Sequence, residues 1–254
     1  MKTFARLALL ISVTAFLSTP AFAQTAPAAA DSAEAPEITI TVTESANLRT
    51  LADKQGFDGH STVNYLFVVP AKTNILGKQG GGPGIDTGKW PEGVSLVLLI
   101  NGNVYGGGGN GSDGGDTPAM RDGGRGGDAI YVQAPIAIAI TKTGSVKAGG
   151  GGGAGADGVG SGGGGGFPNG KGGEGGSALQ GDNSYIVAGN RGYYGTIGGG
   201  GKGGQRGNAG GDGGNTGQPG QSLNRTGGGE GFAIRTNGQN VILDNKGDLR
   251  GQVG

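Results

Sequence analysis

Few residues in this chain are spaced for chemistry. His60 is the only histidine. It follows Asp58-Gly59 and precedes Ser61, the pattern of a surface turn entering a strand. A catalytic triad could use it, but a turn histidine is the reading its neighbours favour. The stretch GGAGADGVG (152–160) fits the calcium-binding nonapeptide G-G-x-G-x-D-x-U-x, with Asp157 as ligand and Val159 at the apolar position. GGNGSDGGD (108–116) fits only in part, because Gly115 stands where an apolar residue belongs. Such sites form between tandem turns that share the ion, and no tandem is present. Asp157 is thus a weak calcium candidate, and neither a metal nor a cofactor is expected. The pairs Gly77-Lys78, Gly88-Lys89 and Gly170-Lys171 lack the Ser or Thr that completes a Walker A loop. G-x-G-x-x-G carries no weight where glycine runs satisfy it trivially. With no cysteine there is no thiolate ligand or thiol nucleophile. No enzyme is expected.

Aromatic and charged side chains are more informative. Phe167 sits in a glycine-flanked loop with little core to join, and Trp90 and Tyr193-Tyr194 also lie beside glycines and turns. Exposed aromatics anchor protein or sugar ligands; the alternative is that they cover apolar ends of the structure. Arg121, Asp122, Arg125 and Asp128 read as a solvated charge row. Formal net charge is zero, so nothing points to a nucleic acid or an anionic membrane as partner.

The elements that must position these residues fall into distinct stretches. Lys2 and Arg6, the apolar run LALLISVTAFL and Ala21-Phe22-Ala23 have the pattern of a secretory signal peptide over 1–23, cleaved before Gln24. The apolar run is too short for a comfortable membrane span, and the mature chain is expected to be secreted or held at a cell surface. An Ala/Pro linker follows over 24–36. Residues 37–104 have the apolar content of a small β-rich domain, with strands at 38–44, 61–69 and 94–100. One short helix is expected from Ser45, as N-cap, to about Gln55.

Beyond it a unit of about 40–50 residues repeats. Each copy opens on an apolar strand, a glycine turn and a short second strand, at 98–109, 139–152 and 186–201. A glycine run follows, then a proline-containing interruption, then a second run ending in apolar residues. Of 65 glycines, 51 lie between Gly106 and Gly231, too many for a side-chain core there. A flexible linker, a collagen helix and a bundle of polyglycine II helices compete. Collagen would need strict Gly-X-Y with abundant proline, and the chain has 10 Pro. In the return runs the other residues fall on every third position: Asp122, Arg125, Asp128; Lys171, Glu174, Ser177; Ala209, Asp212, Asn215. A threefold helix puts such residues in one row, about 9 Å apart. A rod at the edge of a bundle has a use for one wet row, whereas a linker has none. Such rods make no internal hydrogen bonds, so partners must come from neighbours. The runs 149–153 and 162–166 lack even that row and are expected to have neighbours on every side. The expected fold is all-β or irregular: about six polyglycine II helices over 105–236, flanked by short strands, with a strand and turn at 237–254.

Over residues 94–236 the motif strand–NG/TG–strand–GGGG, with loop-interrupted glycine runs, resembles the glycine-rich receptor-recognising adhesins of T-even phage long tail fibres and related glycine-rich phage tail proteins. The segment ITITVTESANLRTLADKQGF resembles stretches that precede glycine-rich regions in phage tail proteins. The resemblance implies a polyglycine sandwich whose tip loops bind a cell-surface protein or glycan. Carried over, those loops are Asp116, Thr117, Pro118 and Met120; Phe167, Pro168 and Asn169; and Gln218, Pro219, Gln221, Asn224 and Arg225. All three are expected at one end, with Phe167 as anchor. Such phage adhesins need no signal peptide, so a bacterial secreted or surface protein of the same architecture is a second source. Two other functions fit a glycine bundle. Ice binding is disfavoured by the Asp, Arg, Lys and Glu rows, and a matrix or filament subunit would self-assemble.

Overall fold

A computed structural model describes residues 37–60, 62–115, 122–180 and 185–254. Residues 35–254 make one compact unit. Its base is a three-sided parallel solenoid. Sheet A takes β1 (Glu37–Thr41), β3 (Asn64–Val69), β6 (Ser95–Ile100), β9 (Ile136–Ile140) and β14 (Val241–Asn245), side by side in that order. Sheet B takes β2 (Ala46–Asn47), β5 (Ile85–Asp86), β8 (Ile130–Tyr131), β13 (Phe232–Arg235) and β16 (Gln252–Val253). Sheet C takes β4 (Asn74–Leu76), β7 (Asn103–Tyr105), β10 (Ser145–Lys147) and β15 (Asp248–Arg250). All these neighbours pair in parallel. From β3 onward the chain winds A, C, B, coil upon coil.

Strand alternation explains the core. In β3, β6 and β9 every second residue turns inward: Tyr65, Phe67, Val69; Leu96, Leu98, Ile100; Ile136, Ile138, Ile140. Paired register stacks them coil on coil, Phe67 beside Leu98 and Leu98 beside Ile138. Burial of this kind contributes about 1.5–3 kcal/mol per large side chain. The helix α1 (Leu48–Lys54) is capped by Asn47, not Ser45: the Asn47 side chain accepts the Thr50 N–H at 3.1 Å. Leu48 and Ala52 bury in the same core. Sequence pattern divides the chain near residue 104, but strands from both sides of that point share all three sheets. Two of the three expected strand–turn–strand openings are corners, since β6 and β7, like β9 and β10, lie in different sheets; the third, at 186–201, has no second strand and runs on into an extended rod.

At one corner, between sheets C and B, the chain leaves the solenoid. The excursion is short in one coil (77–84), longer in the next (106–129) and longest in the third (148–231). In the last coil it shrinks to Gly251 alone, between β15 and β16. Gly251 has φ +117°, and a Cβ there would meet the Ala148 methyl at 2.6 Å.

The two long excursions consist of extended glycine-rich rods. Among the described residues there are ten: rods 1 (106–115), 2 (122–128), 3 (148–156), 4 (160–166), 5 (170–176), 6 (189–195), 7 (199–204), 8 (208–214), 9 (218–222) and 10 (226–231). Pairing one outward with one return run per repeat led to an expectation of about six; short turns near 158, 197, 207, 216 and 224 fold the third excursion back more often. Rod 4 shows how they bond. Successive amides of 161–167 donate to Asn208, Asn190, Ser112, Gly211, Tyr193, Gly109 and Gly214 carbonyls, cycling through rods 8, 6 and 1. Its carbonyls at 162–166 accept from Gly204, Gly173, Gly153, Gly201 and Gly170, cycling through rods 7, 5 and 3. All these bonds are 2.7–3.0 Å. Each neighbour is met again after three residues. Rod 3 is enclosed in the same way by rods 1, 2, 4, 8, 9 and 10. The rods therefore stack in rows of three, four and three: 5-1-2, 6-4-3-10 and 7-8-9. The two runs expected to have neighbours on every side occupy the two central places.

Candidate functional site at the distal end of the bundle

The rods run away from the solenoid and return, so the bundle has a near and a far end. The turn Phe167–Asn169 lies at the near end, which overturns its expected place at the tip. Phe167 is 3% exposed and packs edge-on against Tyr105 at the end of β7, ring centroids 5.7 Å apart. Pro168 is buried as well. Asn169 accepts the Gly108 N–H through Oδ1, donates from Nδ2 to the Gly77 carbonyl, and its own carbonyl accepts from Gln79. These contacts seal the base of the bundle against the solenoid, so Phe167 is not a receptor anchor. The sequence suggested exposure because Phe167 has glycines around it; its partner Tyr105 comes from a strand 62 residues earlier.

The third interruption is divided between the two ends. Gln218 and Pro219 are exposed but follow a turn at the near end, where the Gly217 N–H donates to the Ala148 carbonyl. Gln221 lies along rod 9, and its Oε1 accepts the Asp212 N–H at 3.0 Å. Only the segment around Asn224 and Arg225 reaches the far end. Asp116, Thr117, Pro118 and Met120 lie outside the described residues.

At the far end, four described connections converge: residues 157–159, the antiparallel hairpin of β11 (Ser177–Gln180) and β12 (Tyr185–Ala188), residues 205–208, and residues 222–226. Arg225 ties them. Its guanidinium pairs with Asp157 at 2.6 Å and donates to the carbonyls of Asp113 and Gly115. Asn224 Nδ2 donates to the other Asp157 oxygen at 3.0 Å, and Asn208 Nδ2 donates to the Asp157 carbonyl. Both carboxylate oxygens of Asp157 therefore serve as a brace. Ser161 adds a second knot, accepting the Asn190 and Arg206 amides and donating to the Arg206 carbonyl. Arg225 is thus more brace than contact residue, with its side chain 18% exposed. Among the side chains this frame leaves exposed are Leu223 and Arg206. The turn at 205–208 has no proline and went unnoticed in the sequence; the QRGN break between two glycine runs was its signal.

Other singled-out residues resolve simply. His60 is exposed, in a turn where its N–H meets Asp58 Oδ1. Trp90 packs among Phe57, Tyr65 and Phe67 and donates to the Thr87 carbonyl. Asp128 is not solvated: it is buried at the foot of rod 2, bonded by Arg235, Arg125 and the Phe232 amide. Burial pushes its carboxyl up, but these donors outweigh that and hold it below the ordinary carboxylate range.

The described bundle is thus held by backbone hydrogen bonds between rods, mounted on a solenoid, with braced loops at its free end. Residues 36–254 match the family model of the phage tail fibre adhesin Gp38, and the chain belongs to that family. One chain of the crystal structure of the gp37-gp38 adhesin tip complex of the bacteriophage S16 long tail fiber has a similar fold. It is 23% identical, with TM-score 0.60, over 87% of this chain and 83% of that one. No curated protein matches.

Proposed function

We propose that the protein is a non-enzymatic adhesin that binds a cell-surface receptor through the far end of its bundle, and that the rods are polyglycine II helices serving as a rigid mount. The observation that carries this reading is the convergence of four connections on one end, three of them held together by Arg225 and Asp157, above a scaffold whose glycine faces offer nothing to recognise. Period-three bonding supports the helix type. Family membership favours an adhesin over ice binding or a filament.

Adsorption to receptor-bearing cells tests it. Leu223→Asp and Arg206→Glu at the far end are expected to reduce binding about tenfold or more. Gln218→Glu at the near end is expected to bind as wild type, with melting temperatures unchanged in all three. Loss in the near-end variant alone would overturn the assignment.

The solenoid is the proposed attachment side. The S16 neighbour comes from a complex of gp37 with gp38. Here the outer face of sheet A carries a row of Leu66, Val97, Ala137 and Ile242 in register, with Ile242 62% exposed. An apolar row of this kind suits a fibre subunit. Ile242→Glu should then abolish co-purification with the fibre while the free chain still adsorbs to cells; unchanged co-purification would contradict this.

A further inference from the structure

We propose that the outer edge of rod 6 is a second binding site, a stacking platform for pyranose rings of an uncharged surface glycan. The proposal rests on the adhesin reading and adds a ligand class and a place to it.

The packing supplies an internal comparison. Rods 6 and 10 hold equivalent positions, at opposite ends of the four-rod row, and each has three rod neighbours. Residues on the side of such a rod away from its neighbours face outward, although on rod 10 the Gly220 carbonyl also covers Gly227. On rod 10 the outward positions hold Gly229, with nothing within 4 Å of its missing Cβ, and Glu230. The fold thus needs no large side chain at this place. On rod 6 only Gly189, Gly192 and Gly195 face the bundle, where a Cβ would meet backbone at under 3.0 Å. The outward rows are Asn190, Tyr193, Thr196 and Arg191, Tyr194, Ile197. Tyr193 is 65% exposed and Tyr194 47%. Aromatics left this wet contribute little burial to stability.

Their surroundings select the ligand. Asn190, Arg191, Tyr193, Tyr194 and Gln205 line an open groove of about 410 Å³. Arg191 lies over the Tyr194 ring, 5.0 Å from its centroid, and donates to its hydroxyl at 2.8 Å, which holds the ring in place. Glu174 pairs with Arg191 at 3.3 Å and with Lys171 at 3.5 Å, and the Asp113 carboxylate, which accepts the Glu174 N–H at 2.7 Å, supplies the second negative charge, so these four groups carry no formal net charge. Among the described residues the Tyr193 hydroxyl and the Asn190 amide bond to nothing. Aromatic faces beside unpaired amide and hydroxyl groups match a ligand with an apolar C–H face and a rim of hydroxyls. A protein ligand would gain more from a closed apolar pocket than from this groove.

The test uses the whole mature chain on an array of neutral gluco-, galacto- and manno-configured oligosaccharides. Wild type is expected to bind at least one of them. Tyr193→Ala and Tyr194→Ala should weaken that binding about tenfold or more, and Tyr193→Phe should retain most of it. The far-end variant Leu223→Asp should bind the array as wild type while failing on cells. The platform is refuted if wild type binds no neutral glycan, or if Tyr193→Ala loses cell adsorption without any change on the array, which would point to a protein ligand. Because the far-end variant is read on cells and the tyrosine variants on glycans, either reading can fail without the other.

Discussion

A hydrogen atom is the entire side chain at Gly173, and the Ser112 carbonyl of a neighbouring rod fills the space where a Cβ would be. Gly211 is packed in the same way against Gln221. Gly229 faces open solvent. The contrast gives a residue-scale expectation. Gly173→Val should destabilise by about 3 kcal/mol or more, since backbone cannot yield as a rotamer can. Gly229→Ala should be neutral or stabilise by about 0.4–1 kcal/mol through the unfolded chain. Denaturant unfolding of both variants decides it, and equal tolerance would rule out the packing. The three-residue period was legible in sequence at positions such as Lys171 and Glu174, which do lie on the outside. Phe167 and Asp128 were not legible. Both are buried by partners far along the chain, Tyr105 for one and Arg235 for the other, and local composition carries no trace of such pairing.

At the scale of elements, the joint between rod 2 and the solenoid depends on one carboxylate. Asp128 Oδ2 meets Arg235 Nε at 2.5 Å, and the Arg235 guanidinium lies over Phe232, 4.0 Å from its centroid. Folding lowers the pKa of Asp128. The group therefore contributes stability above its unfolded pKa of about 3.9, and that contribution is lost as pH falls through the lower folded value. Asp128→Asn is expected to cost about 1–3 kcal/mol at neutral pH. The gap to wild type should close only below about pH 4. Melting curves from pH 7 to 2 check this, and a gap that persists at pH 2 would remove the titration from the explanation. Strands at 64–69 and 95–100 were readable from β-branched alternation. Their parallel winding was not, because the pattern that suits a hairpin also suits a solenoid corner. β6 pairs with β3 on one side and β9 on the other, with an excursion between it and each of them.

For the whole molecule, the solenoid supplies what the bundle lacks. Four rod ends run directly into solenoid strands, near 106, 128, 148 and 231, the turns at 167–169 and 217 pack against the solenoid, and the rods share backbone hydrogen bonds in place of side-chain packing. We also propose that the chain is exported, on the signal-peptide pattern of residues 1–23, which lie outside the described residues. N-terminal sequencing of protein recovered outside the cell is expected to begin at Gln24; an intact Met1 would contradict it. Amide hydrogen exchange bears most directly on the claim that glycine alone makes a rigid mount. The amides of 162–166 and 149–154 are hydrogen-bonded between rods and enclosed on every side. They should exchange as slowly as those of β6, through global unfolding. Exchange at the rate of an unstructured peptide in these two runs would show that the rods do not hold together, and the far end would lose its support.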